Sequence, residues 1–163
     1  MTGNVQALFS TERHLTAYPT SALDALFKYC TSFCLRIIPG LFLKDMYRVL
    51  SVPRSQETPK TAHYSPMLHN SIIALALAFS EDPRFRDLKA RQYFIDAAKT
   101  YMEAECQKPT LAVVQALSFL GTFHGSQGDQ GLGFMYFGAF FQGLSSRLYS
   151  SFVRSQRASC PIL

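Results

Sequence analysis

The sequence predicts an all-α protein, an irregular bundle of about six helices around a buried central helix. The run from Ile72 to Phe79 is apolar on every side, and a helix of that kind must be surrounded by other helices. Elsewhere apolar residues recur at helical spacing, and no stretch alternates as strands do. The 163 residues, 48% hydrophobic and 17% charged, are typical of one globular domain with a substantial core.

The central helix has recognisable boundaries in the sequence. Ser65 is a suitable N-cap, and Pro66 follows it at the position where a missing N–H costs nothing. Polar residues and Pro83 end the segment. Its apolar run is far shorter than the roughly 18 residues that cross a bilayer, so no membrane span is expected.

An amphipathic helix is predicted upstream of the central one. Residues 1–19 lack sustained periodicity, and we interpret them as a loose N-terminal arm. Ser21 and Asp24 then form a variant of the capping box, and apolar residues follow at helical spacing. Pro39 and Gly40 break this helix.

A short second helix is predicted over about residues 41–51. The polar segment 51–63 contains two prolines and is predicted to be a loop. Four side chains of the second helix are expected to point into the core: Phe42, Met46, Val49 and Leu50.

Two further helices are predicted after the central one. Asp82 can cap and Pro83 can begin a helix that continues to about Cys106, with a kink expected near Ala90. Thr110 opens a fifth helix, which carries apolar residues on one side. This helix is expected to end in a glycine-rich loop between residues 124 and 128.

A sixth helix, capped by Asp129, is predicted over about residues 130–147. Residues 149–163 show neither periodicity nor caps and are predicted to be a disordered tail, which leaves 20–148 as the helical domain. Glycine inside a helix costs up to ~1 kcal/mol, so internal glycines indicate close approach of a neighbouring helix. Three glycines are in this position: Gly133, Gly138 and Gly143.

Eight side chains are predicted to determine the fold because they fall on the apolar faces of these helices. They are treated as core residues and not as site residues. The set is Leu26, Phe27, Leu68, Ile72, Leu75, Phe79, Leu117 and Tyr136.

No motif in the sequence predicts a catalytic, cofactor-binding or metal-binding residue. Cys30 and Cys34 lie one helical turn apart, but both fall on an apolar face, where free cysteine packs as a small hydrophobe. The glycine-rich segment 125–133 lacks the Lys-Ser/Thr of a phosphate loop, so an inter-helix turn is the better interpretation. The basic residues of segment 84–91 are interleaved with the carboxylates Glu81, Asp82 and Asp87, as on a solvated helix face.

Three residues keep an alternative open, in which the chain is a stand-alone helical ligand-binding protein or an enzyme. They are His63, His69 and Cys106, since a histidine–cysteine or histidine–carboxylate pair is compatible with the sequence. For His69 we favour a partly buried, hydrogen-bonded core residue. No nucleophile elbow or zinc-protease motif accompanies these residues, so non-enzymatic function is expected.

Charge and cysteine usage point to an intracellular protein without a dedicated nucleic-acid surface. The formal charge is +5, and three of these charges come from Arg147, Arg154 and Arg157, which follow the last acidic residue, Asp129. The rest of the chain is nearly balanced in charge. The four cysteines show no paired spacing, and the N-terminus has no basic segment followed by an apolar one. No secretory signal is therefore expected.

Several ordered blocks carry a resemblance to a known family. The segment from Tyr64 to Asn70 leads into I-I-A-L-A-L-A-F-S, and E-A-E-C, V-Q-A-L-S and G-F-M-Y-F-G follow at residues 103, 114 and 133. In this order and spacing they resemble the middle homology region of fungal-specific transcription factors, the regulatory domain of the xylanolytic-activator type. The resemblance covers about residues 23–140.

The resemblance implies an all-helical regulatory domain, nuclear localisation and a role in transcription. In this family DNA is contacted by a separate N-terminal binuclear zinc cluster of six cysteines, which has no counterpart in these 163 residues. Zinc and DNA are therefore expected only at that cluster, and no cofactor is expected here. The expected partners are another protein or the remainder of the domain, bound through exposed apolar helix faces, and possible small-molecule effectors.

The resemblance weakens after Gly138. The family continues with an arginine-containing amphipathic helix, whereas this chain has Gln142 about where the arginine is expected. This difference favours a chain that stops part-way through the domain. If so, the central helix and the face carrying Phe140 and Phe141 would lack neighbours, and such apolar patches mark association or aggregation.

Overall fold

The computed structural model describes residues 20–29, 37–53, 56 and 59–159. Within these ranges the fold is all-α, as predicted, with 78% helix and no strands. The elements are α1 (Thr20–Tyr29), α2 (Pro39–Leu50), α3 (Pro66–Ala76), α4 (Pro83–Arg86), α5 (Leu88–Cys106), α6 (Leu111–Ser126) and α7 (Gln130–Ser159). The predicted arm, 1–19, and the pair Cys30 and Cys34 lie outside the described residues.

Helix α3 is the buried central helix that the sequence predicts. Nine of its eleven residues are buried, and it packs against α1, α5 and α6. The Ser65 hydroxyl accepts a hydrogen bond from the Leu68 N–H at 3.1 Å, and Pro66 is the first helical residue. A cap and a proline therefore set the start of the helix, as expected from the sequence.

The end of the central segment differs from the prediction. Helix α3 stops at Ala76, and a 3-10 turn, Leu77–Phe79, follows. Phe79, predicted to be a core residue, is 46% exposed, because the tighter turn departs from the helical spacing that would have placed it inward. Leu50, predicted to point inward, is also exposed, since it is the last residue of α2.

The remaining predicted core residues lie in the core. Leu26, Leu68, Ile72, Leu75, Leu117 and Tyr136 are buried, and Phe27 is partly buried against the core. Phe42 and Val49 are the inward-facing residues of α2, and Met46 is partly buried.

Helix α6 is a second buried helix, which the sequence did not predict. The sequence places apolar side chains on one side of it, but eleven of its sixteen residues are buried. The reason is that α3 packs against α6 and α7 packs against it as well. The core therefore contains two adjacent buried helices rather than one.

Two helix boundaries depart from the prediction. The predicted kink near Ala90 is a break at Asp87, which separates the four-residue α4 from α5. Helix α7 continues to Ser159, so residues 149–159 of the predicted tail are helical. Between residues 144 and 159 the sequence has neither glycine nor proline, and nothing in it ends the helix.

The expectation that the central helix and the Phe140–Phe141 face lack neighbours is wrong in two of its three parts. Helix α3 is covered by other helices, and Phe140 is buried. Phe141 is 56% exposed, in agreement with the expectation.

The turn between α6 and α7 is a helix end and not a phosphate loop. Gly128 has φ +82°, the left-handed region that glycine enters without strain. Its N–H donates to the Gly125 carbonyl, and the Asp129 N–H donates to the His124 carbonyl, which together form a Schellman motif. Asp129 then caps α7 through the Leu132 N–H at 3.2 Å.

Two of the three internal glycines of α7 lie at close approaches, as predicted. A Cβ on Gly133 would lie 3.3 Å from the Gly125 nitrogen and 3.4 Å from the Gly121 oxygen. A Cβ on Gly143 would lie 3.1 Å from the Val114 side chain. The prediction is wrong for Gly138, since a Cβ there would meet no atom within 4 Å in the described part of the chain.

This difference predicts opposite results for the same substitution. We expect Gly138→Ala to raise the free energy of unfolding by up to ~1 kcal/mol through helix propensity alone. Gly133→Ala brings the same gain in helix propensity, but its methyl group would press against backbone atoms of α6. We therefore expect the free energy of unfolding to stay the same or to fall. Urea unfolding of both variants measures the difference, and effects on the unfolded chain cancel between them. A gain of equal size in both would contradict the close helix contact.

Candidate functional site

His69 lies in an aromatic cluster at the start of α3. It is 7% exposed, and its ring lies near those of Phe42 (6.3 Å, stacked) and Tyr64 (5.6 Å, edge-on). Neither ring nitrogen has a hydrogen-bond partner in the described part of the chain, so the prediction of a hydrogen-bonded core residue is wrong in that respect. Burial lowers the pKa of His69 from 6.5 to about 4, and the ring is therefore neutral at neutral pH.

His63 and Cys106 are placed differently. The His63 backbone N–H donates to Asp45 at 3.1 Å, which ties the loop before α3 to α2. Cys106 is exposed as a residue, but its sulfur is partly shielded from water. This partial burial, and then the charge of Glu105, raise the pKa of the thiol. A raised pKa disfavours the thiolate, which is the reactive form of cysteine. Neither residue is arranged as an activated nucleophile or base.

Metal ligands are not clustered in the part of the chain that the structure describes. No group of three or more histidine, cysteine, aspartate or glutamate side chains there could hold a metal ion. Within the same residues, no helix is both long and apolar enough to cross a bilayer.

A cleft of about 290 Å³ opens beside the start of α3. Its walls come from α2, the loop before α3, the end of α5 and the start of α6. The three chemical candidates of the sequence analysis, His63, His69 and Cys106, are not among its lining residues. Six lining residues decide its chemistry: Lys60, Tyr64, Ser65, Tyr101, Glu105 and Lys108.

Glu105 joins two helices at this cleft. Its Oε1 accepts a hydrogen bond from the Met67 N–H at 3.1 Å, one of the N–H groups that the start of α3 leaves without an intrahelical partner. Its Oε2 is buried without a hydrogen-bond partner in the described residues. Burial raises the pKa of Glu105, while the Ser65 hydroxyl, the Met67 N–H and the charge of Lys60 lower it, and burial dominates.

A second buried histidine, which the sequence analysis did not single out, lies at the α6–α7 turn. The His124 ring stacks on Tyr136 at 5.5 Å, and its Nδ1 lies 3.8 Å from the Asp129 carboxylate. Burial and the charge of Lys99 lower its pKa, and Asp129 and Asp96 oppose the shift. The sequence predicted residue 124 to begin the inter-helix loop, whereas α6 continues to Ser126, and no local pattern indicated this contact.

Helix α7 exposes apolar side chains to solvent. Phe134 is 75% exposed, Met135 and Phe141 are more than half exposed, and Gly138 lies between them. Residues 134, 138 and 141 share one side of a helix because they are four and three positions apart. We call Phe134, Met135, Gly138 and Phe141 the α7 apolar face. The sequence indicated it only in part, through Phe141.

Two of the four basic residues of segment 84–91, Arg84 and Arg91, are engaged by acidic and core groups. The Arg84 guanidinium pairs with Asp82 at 2.7 Å, and its hydrogen bond lowers the pKa of that carboxyl. Arg91 donates to the Ala74 carbonyl at 2.9 Å and lies over the Phe123 ring at 5.2 Å. This arrangement agrees with the predicted solvated face at Arg84 and adds a structural role for Arg91.

The family described as fungal specific transcription factor domain matches residues 23–149. The chain belongs to this family, and the resemblance seen in the sequence is confirmed. No curated protein and no solved structure matches the chain. The domain is thus a transcription-regulation domain of fungal transcription factors, a family that is not enzymatic.

Proposed function

We propose that this domain is the regulatory, non-DNA-contacting part of a fungal zinc-cluster transcription factor, acts in the nucleus and has no catalytic activity of its own. The family match over residues 23–149 carries this proposal. Zinc would belong to the separate N-terminal DNA-binding cluster that the family resemblance implies. DNA contact would likewise come from that cluster.

The α7 apolar face supports regulation through a protein partner. Its aromatic side chains are exposed on a helix whose opposite side packs closely against α6. Exposed aromatic and methionine side chains of this kind are typical of protein interaction surfaces. The packing of α7 against α6 leaves this face turned outward.

A promoter-tethering experiment tests the proposal. The chain is fused to an unrelated DNA-binding domain, and transcription of a reporter is measured in a fungal cell. We expect the fusion to change transcription, and the double substitution Phe134→Ser/Phe141→Ser to abolish most of that change. Tyr47→Ser, which removes another exposed aromatic from α2, is the matched control and should retain the effect. A fusion without effect on the reporter would contradict the proposal.

DNA binding by the unfused chain is the second measurement. We expect no band shift with duplex DNA at low or moderate salt. A shift that disappears steeply as salt increases would reveal phosphate contacts and would contradict the non-DNA-contacting role.

A further inference from the structure

We propose that the cleft beside the start of α3 is a binding site for a small organic anion with an apolar body. The site is distinct from the α7 apolar face. The inference goes beyond the proposed function, since binding here requires no transcriptional role.

The walls of the cleft are fixed before any ligand arrives. The Ala62 carbonyl accepts from the Ala112 N–H at 3.0 Å, which anchors the loop to the start of α6. The Thr61 hydroxyl donates to the Tyr64 carbonyl at 2.8 Å, and Glu105 holds the start of α3 to the end of α5. A preformed cleft avoids the ordering cost that a flexible surface would incur on binding.

The interior of the cleft is mainly apolar. Val49, Pro59, Pro66, Ala104 and Val113 line it together with the rings of the two tyrosines. Its volume of about 290 Å³ is near the lower end of the range for small-molecule sites, roughly 300–1,000 Å³. A ligand with one aromatic ring or a short branched chain matches that size.

The charges that a ligand can reach are positive. Lys60 and Lys108 line the cleft and are both exposed. Glu105 is the acidic lining residue, but its Oε1 accepts from the Met67 N–H and its Oε2 has almost no surface open to solvent.

Hydroxyl groups complete the polar lining. Tyr64, Tyr101 and Thr110 all line the cleft. Burial keeps the pKa of Tyr64 above its usual value, and the charge of Glu105 raises it further, so the phenol stays protonated. A protonated phenol can donate a hydrogen bond to an anion. An apolar interior with ammonium and hydroxyl groups suits a carboxylate carried on an apolar body.

Two probes of equal shape and opposite charge test this inference. Binding of 4-phenylbutyrate and of 4-phenylbutylamine to the full chain is measured by calorimetry and by amide chemical shifts. We expect saturable binding of phenylbutyrate, with shifts at residues 59–67 and 101–113, and at least tenfold weaker binding of the amine. Equal or tighter binding of the amine, or no saturable binding of phenylbutyrate up to about 10 mM, would overturn the proposal.

Lysine variants connect the binding to the cleft. Lys60→Gln/Lys108→Gln should weaken phenylbutyrate binding by about 2- to 10-fold, as expected for two exposed charges. Lys44→Gln/Lys89→Gln changes net charge equally at exposed positions that do not line the cleft, and should leave binding unchanged. Equal weakening by both pairs would indicate a general charge effect and reject the site.

Inorganic phosphate separates charge from shape. We expect phosphate to compete poorly with phenylbutyrate, because it cannot fill the apolar interior. Displacement by an equal concentration of phosphate would reject an organic ligand. The reporter experiment above is independent of this binding measurement, so failure of one proposal is distinguishable from failure of the other.

Discussion

Replacing Phe119 by alanine is expected to lower the free energy of unfolding by about 3–5 kcal/mol. Phe119 is 0% exposed in α6, which packs between α3 and α7. Removing the ring loses its burial and leaves a cavity that two helices on opposite sides cannot easily close. Such a loss is a large fraction of the 5–15 kcal/mol that holds a typical domain folded.

Phe134→Ala is the matched control, since it removes the same ring from a helix where the side chain is 75% exposed. We expect a change within about 0.5 kcal/mol. Urea titrations followed by circular dichroism measure both variants through the shift in midpoint at constant slope. A loss below about 1 kcal/mol for Phe119→Ala would mean that α6 is not buried between α3 and α7.

Acidification is expected to destabilise the protein by up to about 3 kcal/mol through His69 alone. Its pKa is 6.5 as the ordinary value and about 4 in the folded protein. Between these two pH values the unfolded chain takes up a proton that the folded chain excludes. The stability that comes from keeping His69 neutral is therefore fully present above about pH 6.5 and is lost as pH falls towards 4, because protonation of His69 favours the unfolded state.

The variant His69→Leu isolates this effect. Leucine has a similar volume and does not titrate. The protein with His69 should therefore lose stability relative to the His69→Leu variant as pH falls from 7 to 4. Other titrating groups, such as His124 and Glu105, are common to both proteins and cancel in that difference. Parallel pH profiles would show that His69 is not buried as a neutral ring.

Local signals predicted the starts of several helices correctly. A short-range hydrogen bond or the fixed ring of a proline sets the boundaries at Ser65, Asp82, Thr110 and Asp129, and both depend only on neighbouring residues. The family blocks were likewise visible in sequence order. The end of α7 was predicted wrongly. Residues 144–159 contain no glycine or proline that would end a helix, and their lack of regular spacing was read as a tail.

The candidate site was largely hidden from the sequence. Glu105 and Met67 are 38 residues apart, and no local pattern announces that one caps the helix containing the other. The same holds for Lys60 and Lys108, which come together only because α3, α5 and α6 meet at one end. His69 was noticed as a chemical candidate, but its burial among aromatic rings depends on α2 as well.

The sequence by itself determined the fold class, most helix starts, the buried character of α3 and the family. These follow from residue type and spacing along one segment. The tertiary structure decided that α6 is buried as well, that Phe79 is exposed, that Gly138 faces open space while Gly133 touches a neighbour, and where the cleft lies. Each of these depends on which helices pack together, and that is set by the summed burial of the whole chain rather than by any one segment.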